Sequence, residues 1–335
     1  MKLGDIRKSW IALTLAASIL FLLGIAAGYA LRALRTPTGI TTVRDPDSVY
    51  SLINPVLYIE TPESFSFPKY TPLESALSAN VTQAKKDGSA TDISIYYRDL
   101  NSSEWIGVNQ AETYNPASML KVITLIGVLR ASESNPHLLS DHISVPASIS
   151  IPTAGGQEYY PPADPVHSGM TYSVQDLLQR MIVQSDNGAN ALLTTIIGDS
   201  TTNANYTNLH ISLPKNGTTL DISPQEYSHL FRVLYNSSYL NNADSEYALQ
   251  LLSHTTFTPG LAAGIPASTT VAHKFGENIY PNNALGLNDC GIIYYPGHPY
   301  FLCVMTKGSD FSTLASVIKN ISQITWQQVK LVYPS

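Results

Sequence analysis

Twenty-two consecutive residues, Trp10 to Leu31, carry no charge and are dominated by Ala, Leu and Ile. No other feature limits the chain so sharply, because a stretch of that length can cross a bilayer as one helix. Arg7 and Lys8 precede it, and Arg32 and Arg35 follow. The competing reading is a secretory signal peptide, with an apolar region of only about 7–15 residues before a small-residue cleavage site. Ala26 to Ala30 suits such a site. On length, residues 9–31 read as an uncleaved transmembrane anchor and residues 1–8 as a cytoplasmic tail. The flanking basic residues nearly balance, so charge alone does not orient the span.

Residues 32–70 contain Pro37, Pro46, Pro55, Pro62 and Pro68 with little periodicity, and read as a linker with one short strand at Val56–Ile59. A single domain fills residues 71–335. The chain is 44% hydrophobic and 13% charged, enough to bury a large core. Its first 44 residues hold six basic side chains against one acid, and the remainder is acidic. Nucleic-acid binding needs clustered Lys and Arg to displace counterions from phosphates. No such cluster follows Arg44, so that class is excluded.

Within the domain, Leu73–Lys86 reads as an opening helix, and Asp92–Arg98 with Glu104–Val108 as a hairpin turning at Asn101-Ser102. A long helical middle follows. Thr270–Lys274, Gly291–Tyr295 and Tyr300–Thr306 then supply three more strands, and apolar spacing from Phe311 to Val332 marks a closing helix. This order predicts an α/β (α+β) fold: one antiparallel sheet with helices packed on it and a second, helical lobe. Cys290 and Cys303 lack metal-ligand spacing. They fall on the last two strands, and disulfide and free thiols both stay open because pairing turns on register. No metal or cofactor is expected.

Three short motifs carry chemistry. The first is Ser118-Met119-Leu120-Lys121, preceded by Asn115 as helix cap and Pro116 in the first turn, so that Ser118 and Lys121 share one helix face. A hydroxyl becomes a nucleophile when a neutral amine can take its proton. Burial and the positive end of a helix both lower a lysine pKa. The apolar run Val122, Ile123, Leu125, Ile126, Val128 and Leu129 predicts that this helix is buried. Alone the motif is weak, since Ser66-Phe67-Pro68-Lys69 and Ser316-Val317-Ile318-Lys319 have the same spacing.

The second motif, Ser185-Asp186-Asn187, follows a helix capped by Ser173, with Asp176 reaching back to the cap. The third, His273-Lys274-Phe275-Gly276-Glu277, ends a strand. Lys274 there could meet a substrate carboxylate, and Gly276 could let substrate lie close to the backbone. Each motif taken singly suits an ordinary turn or strand. Their joint occurrence in this order is the signal.

Through these three motifs residues 71–335 resemble the class A β-lactamases and related penicillin-binding proteins, most closely in Pro116–Val122 and Leu177–Asn187. The resemblance implies a five-stranded antiparallel sheet flanked by helices, plus an all-helical lobe. It implies that Ser118 attacks a lactam or peptide carbonyl and that Lys121 takes its proton. Ser185 would relay a proton to the leaving nitrogen, and Asn187 would hold Lys121 and the substrate amide. Lys274 would face the substrate carboxylate beside Gly276, and the backbone N–H groups of Ser118 and Glu277 would form an oxyanion hole.

Two departures stand out. Phe275 replaces the usual Thr or Ser, removing a hydroxyl that helps bind the substrate carboxylate. The family's Glu-x-x-Leu-Asn loop, whose Glu activates the deacylating water, is absent: Asn187 to Pro224 contains no Glu, only Asp199 and Asp221. Glu226 lies in a capping box begun by Ser223, while Glu158 and Glu277 are outside candidates. The expected function is a serine hydrolase forming an acyl-enzyme on Ser118 with β-lactams or D-Ala-D-Ala-like cell-wall peptides, with slow deacylation. The alternatives are a D,D-carboxypeptidase or transpeptidase and a non-catalytic penicillin-binding wall protein. Such substrates place the domain outside a cell membrane spanned once by residues 9–31.

Overall fold

Phe301, Cys303 and Met305 alternate with Tyr300, Leu302 and Val304 along one segment, and all six are buried. Successive strand side chains point to opposite faces, so a strand with this pattern must be covered on both sides. The computed structural model describes residues 41–44, 50–54, 56–60, 68–145, 158–209, 211 and 220–334. The uncharged run read as an anchor lies outside them. No helix among the described residues is long and apolar enough to cross a membrane.

The chain divides into two units, the larger comprising Arg44–Leu57 and Phe67–Ser335. Strands β1 (Thr41–Arg44) and β2 (Val56–Glu60) pair with each other in a small separate sheet. In the larger unit, α1 (Thr71–Lys86) leads into the hairpin β3 (Asp92–Asp99) and β4 (Trp105–Val108). The helical block holds α2 (Lys121–Ser134), the short pair β5 (His142–Ser144) and β6 (Thr171–Ser173), and α3 (Val174–Val183). It continues with α4 (Asn187–Asn208, broken at Gly198, where φ is 72°), α5 (Pro224–Tyr235) and α6 (Asn242–Ser253). Strands β7 (Val271–Ile279), β8 (Leu285–Ile293) and β9 (Tyr300–Gly308) and helix α7 (Phe311–Val332) close the chain.

The main sheet is antiparallel throughout, in the order β4-β3-β9-β8-β7. Leu77 of α1 and Leu314 and Ile318 of α7 pack with Tyr97, Leu302 and Val304 on one face. Met119, Val122, Leu177 and Phe231 of the helical lobe join Phe301, Cys303 and Met305 on the other. Cys290 stands directly opposite Cys303 across β8 and β9, and the two form a disulfide.

Strands β7 and β8 correct the sequence-based bounds. The first runs on through Phe275, Gly276 and Glu277, and the second begins six residues before Gly291. Asn288 and Asp289 broke the apolar pattern, yet both are buried and satisfied. Asn288 Oδ1 accepts the Thr306 N–H at 3.2 Å, and its Nδ2 donates to the Asn115 carbonyl at 3.0 Å. Asp289 takes the Leu261 N–H at 2.9 Å and lies 2.8 Å from His273 Nδ1.

The segment read as a free linker is partly docked. Glu246 of α6 accepts the backbone N–H groups of Ser51, Leu52 and Ile53 at 3.1, 2.8 and 3.1 Å. Leu52 and Ile53 are buried against the helical lobe. A carboxylate accepting three N–H groups satisfies donors that burial would otherwise leave costly.

Candidate active site

Ser118 does not lie inside a helix, as its motif suggested, but in a tight 3₁₀ turn, Ala117–Leu120, that leads into α2. The cap position of this turn is held by Pro116, not by Asn115 as its motif suggested; Asn115, one residue earlier, accepts the Ala117 N–H through its Oδ1 at 2.9 Å. Ala117 has φ of 48°, a region that costs a non-glycine residue energy and often marks functional sites. Helix α2 is buried nearly all round, as its apolar run predicts, and carries Lys121 at its first position with only 3% exposure.

Of the Ser185-Asp186-Asn187 triplet, Ser185 and Asp186 lie between α3 and α4 and Asn187 opens α4. Ser173 caps α3 as expected, its Oγ accepting the Asp176 N–H at 3.0 Å, while the Asp176 carboxylate takes Arg180 Nε at 3.1 Å. Ser185 has φ of 60°. Asp186, which sequence reasoning passed over, is the buried cap of α4: it accepts the N–H groups of Gly188 and Ala189 at 2.7 and 3.3 Å and that of Val166 at 2.7 Å. A Ser-Asp-Asn run immediately before a helix was the available signal.

These turns converge on Lys121. Its Nζ lies 2.9 Å from Ser118 Oγ, 3.1 Å from Ser185 Oγ and 2.7 Å from Asn187 Oδ1, and it also donates to the Ser185 carbonyl. Burial drives the Lys121 pKa down to about 7, although Asp186 and Glu277 nearby work in the opposite direction. A lysine near 7 is an amine about half the time at neutral pH, the form able to accept a proton.

Lys274 comes from β7 and is fully buried, donating to Ser185 Oγ at 2.9 Å and to the Phe275 carbonyl at 3.2 Å. Burial, and then Lys121, push its pKa well below the ordinary lysine value. Ser185 is equally enclosed. Phe275 stacks on Phe257 with ring centroids 4.1 Å apart and meets Tyr160 edge-on at 5.5 Å. Gly276 has a structural reason beyond substrate access: a Cβ there would collide with the Pro116 carbonyl oxygen. Its bareness lets β7 lie against the turn that carries Ser118.

A cavity of about 440 Å³ opens beside Ser118, lined by Lys121, Asn187 and Glu277 among others. Its remaining wall includes Asn190, Thr194, Thr202 and Tyr206, all uncharged and spaced along the two halves of α4. Glu277 accepts the N–H groups of Tyr159 and Tyr160 at 3.2 and 3.0 Å. Burial raises its pKa while those donors oppose the rise. Strand β7 is an edge strand, so alternate backbone groups along it point away from the sheet. Of the other carboxylates considered for deacylation, Glu158 and Asp221 are exposed, and Glu226 completes the capping box with Ser223. The side chain of Asp199 lies outside the described residues. No group of His, Cys, Asp and Glu able to hold a metal occurs among the described residues.

Comparison with known proteins bears on the family and the fold. A β-lactamase of Streptomyces albus G is 25% identical over 239 residues, 66% of this chain and 74% of that one. The β-lactamase VEB-1 of Pseudomonas aeruginosa is 23% identical over 268 residues, 74% and 87% of the two chains. Among solved structures, a mutant of PBP-A in acyl-enzyme complex with penicillin G shares the fold with a TM-score of 0.64 at 19% identity, over 78% of this chain and 97% of that one. The family model described as the beta-lactamase enzyme family matches residues 72–329.

Proposed function

Because the chain belongs to the β-lactamase enzyme family, a family of hydrolases, we propose that it forms an acyl-enzyme on Ser118 with β-lactams or D-Ala-D-Ala-like amides. The observation that carries the reading is the 2.9 Å contact between Lys121 Nζ and Ser118 Oγ. Neutral Lys121 takes the hydroxyl proton as Oγ attacks the carbonyl carbon. The carbonyl oxygen, now negative, is held by the backbone N–H groups of Ser118 and Glu277. The C–N bond then breaks, and Ser185, linked to both lysines, passes a proton to the leaving nitrogen. Asn187 keeps Lys121 aimed at the nucleophile.

Incubation with a fluorescent penicillin, followed by intact-mass measurement, tests the reading through its pH dependence. With a base near 7, the acylation rate is expected to level off above pH 8 and to fall about tenfold per unit well below 7 as the amine protonates. A rate flat from pH 5 to 8 would remove Lys121 from this role.

The uncharged run at residues 10–31 supports a further element of the proposal, that the domain is held on the outer side of a membrane, where such substrates occur. Protease added to intact cells or spheroplasts is expected to digest it. Digestion only after the membrane is breached places the domain inside.

A further inference from the structure

We propose that Glu277 is a specificity-determining residue whose side-chain carboxylate makes the site select acyl donors with an uncharged group, rather than a carboxylate, next to the scissile C–N bond. The inference rests on the acyl-enzyme reading of Ser118 and names the substrate class within it.

Among the described residues lining the cavity beside Ser118, two have ionisable acid or ammonium groups, Lys121 and Glu277. The first must be neutral to take the hydroxyl proton. In the protonation state that reacts, Glu277 is therefore the charge that remains among those lining residues. Its carboxylate lines the cavity beside Ser118 and is close enough to oppose, in small part, the fall that burial imposes on the pKa of Lys121 and Lys274, so its field reaches the place where the scissile bond must lie. Burial in a weakly polar surround strengthens such a field relative to water.

The carboxylate cannot swing aside. The N–H groups of Tyr159 and Tyr160 hold it, and those residues are themselves fixed. Tyr160 donates to the Thr256 carbonyl and packs edge-on against Phe257 and Phe275, while Tyr159 stacks on Phe311 at 5.4 Å. Glu158, next in the chain, adds a second negative charge near Glu277.

No cationic side chain of the same strand is among the described residues lining the cavity. Lys274 is fully enclosed, with its ammonium directed to Ser185 Oγ and the Phe275 carbonyl, and it does not line the cavity. Phe275 contributes a buried ring in place of a hydroxyl. A carboxylate brought to this strand would meet a fixed like charge and would lose its water, and the lining residue that follows Glu277, Asn278, offers only a neutral amide in return.

The test compares two donors that differ only in this charge, benzylpenicillin and its methyl ester, on the full chain. Second-order acylation rates are read from the growth of the adduct by intact mass. The wild type is expected to react about tenfold faster with the ester, with the gap narrowing as salt is raised. Glu277→Gln removes the charge at nearly the same size and keeps an acceptor oxygen for one of the two N–H groups, which reach separate carboxylate oxygens, and is expected to bring the ester-to-acid ratio toward one. A wild type that reacts with the acid at least as fast as with the ester overturns the inference without requiring any variant to fold. So does a ratio unchanged in Glu277→Gln, since a purely structural effect would move both rates together. No adduct from either donor sinks the acyl-enzyme reading itself, and this inference with it.

Discussion

Ser118→Ala is expected to abolish covalent labelling by a β-lactam, a loss on the order of 10⁶-fold, as when the nucleophile of a serine hydrolase is removed. Ser66→Ala and Ser316→Ala should label as the wild type does. All three serines stand three residues before a lysine, so spacing alone cannot separate them, whereas their surroundings do. Ser316 donates to the Ser312 carbonyl at 3.0 Å on the exposed side of α7, and Lys319 is exposed. Lys69 donates to the Tyr333 hydroxyl at 2.6 Å and pairs with Glu104 at 3.0 Å, and acceptor partners of this kind keep a lysine charged. Lys121 alone is buried with its pKa near 7 and its Nζ on a serine hydroxyl. Equal labelling of wild type and Ser118→Ala, read by intact mass, would end the proposal.

The contrast explains what was legible in the chain. The pairing of Ser118 with Lys121 could be read because it is local: three residues, a capped turn and an apolar helix behind it. Ser185 and Asn187 could be read because they border a helix whose amphipathic pattern is clear. The burial of Lys274 could not, since it depends on Ser185 and Lys121, residues about 90 and 150 positions away. The true extent of β7 and β8 was hidden for a related reason. Asn288 and Asp289 look like loop residues until their partners on β9, on the turn at Asn115, at Leu261 and at His273 are known. The docking of Leu52 and Ile53 was invisible in the same way. Their satisfaction by Glu246 spans about 190 residues, and a Pro-containing segment with no periodicity carries no local sign of a distant carboxylate.

The second half of the reaction carries the other large expected effect. Release of the acyl group needs water to attack the ester, and water attacks well only when a base takes its proton as it does so. The wall of the cavity along α4 offers Asn190, Thr194, Thr202 and Tyr206, groups that can hold water but do not serve as bases at neutral pH. Glu277 lines the same cavity and burial raises its pKa, but both of its carboxylate oxygens are engaged, one by the Tyr159 N–H and one by the Tyr160 N–H. Lys121 is shared among Ser118, Ser185 and Asn187 and serves the step that forms the ester. General-base assistance contributes about 10²–10⁴-fold, so a site without it should leave the acyl-enzyme standing. With a chromogenic cephalosporin the expected result is a burst of about one product per enzyme, then turnover slower than the burst by roughly that factor, with the adduct visible by mass throughout. Fast steady turnover with neither burst nor adduct would mean that a base is present after all. Glu277→Gln would then be the first variant to assay for slowed turnover, ahead of the exposed Glu158 and Asp221, because Glu277 alone of the three shares the cavity with Ser118.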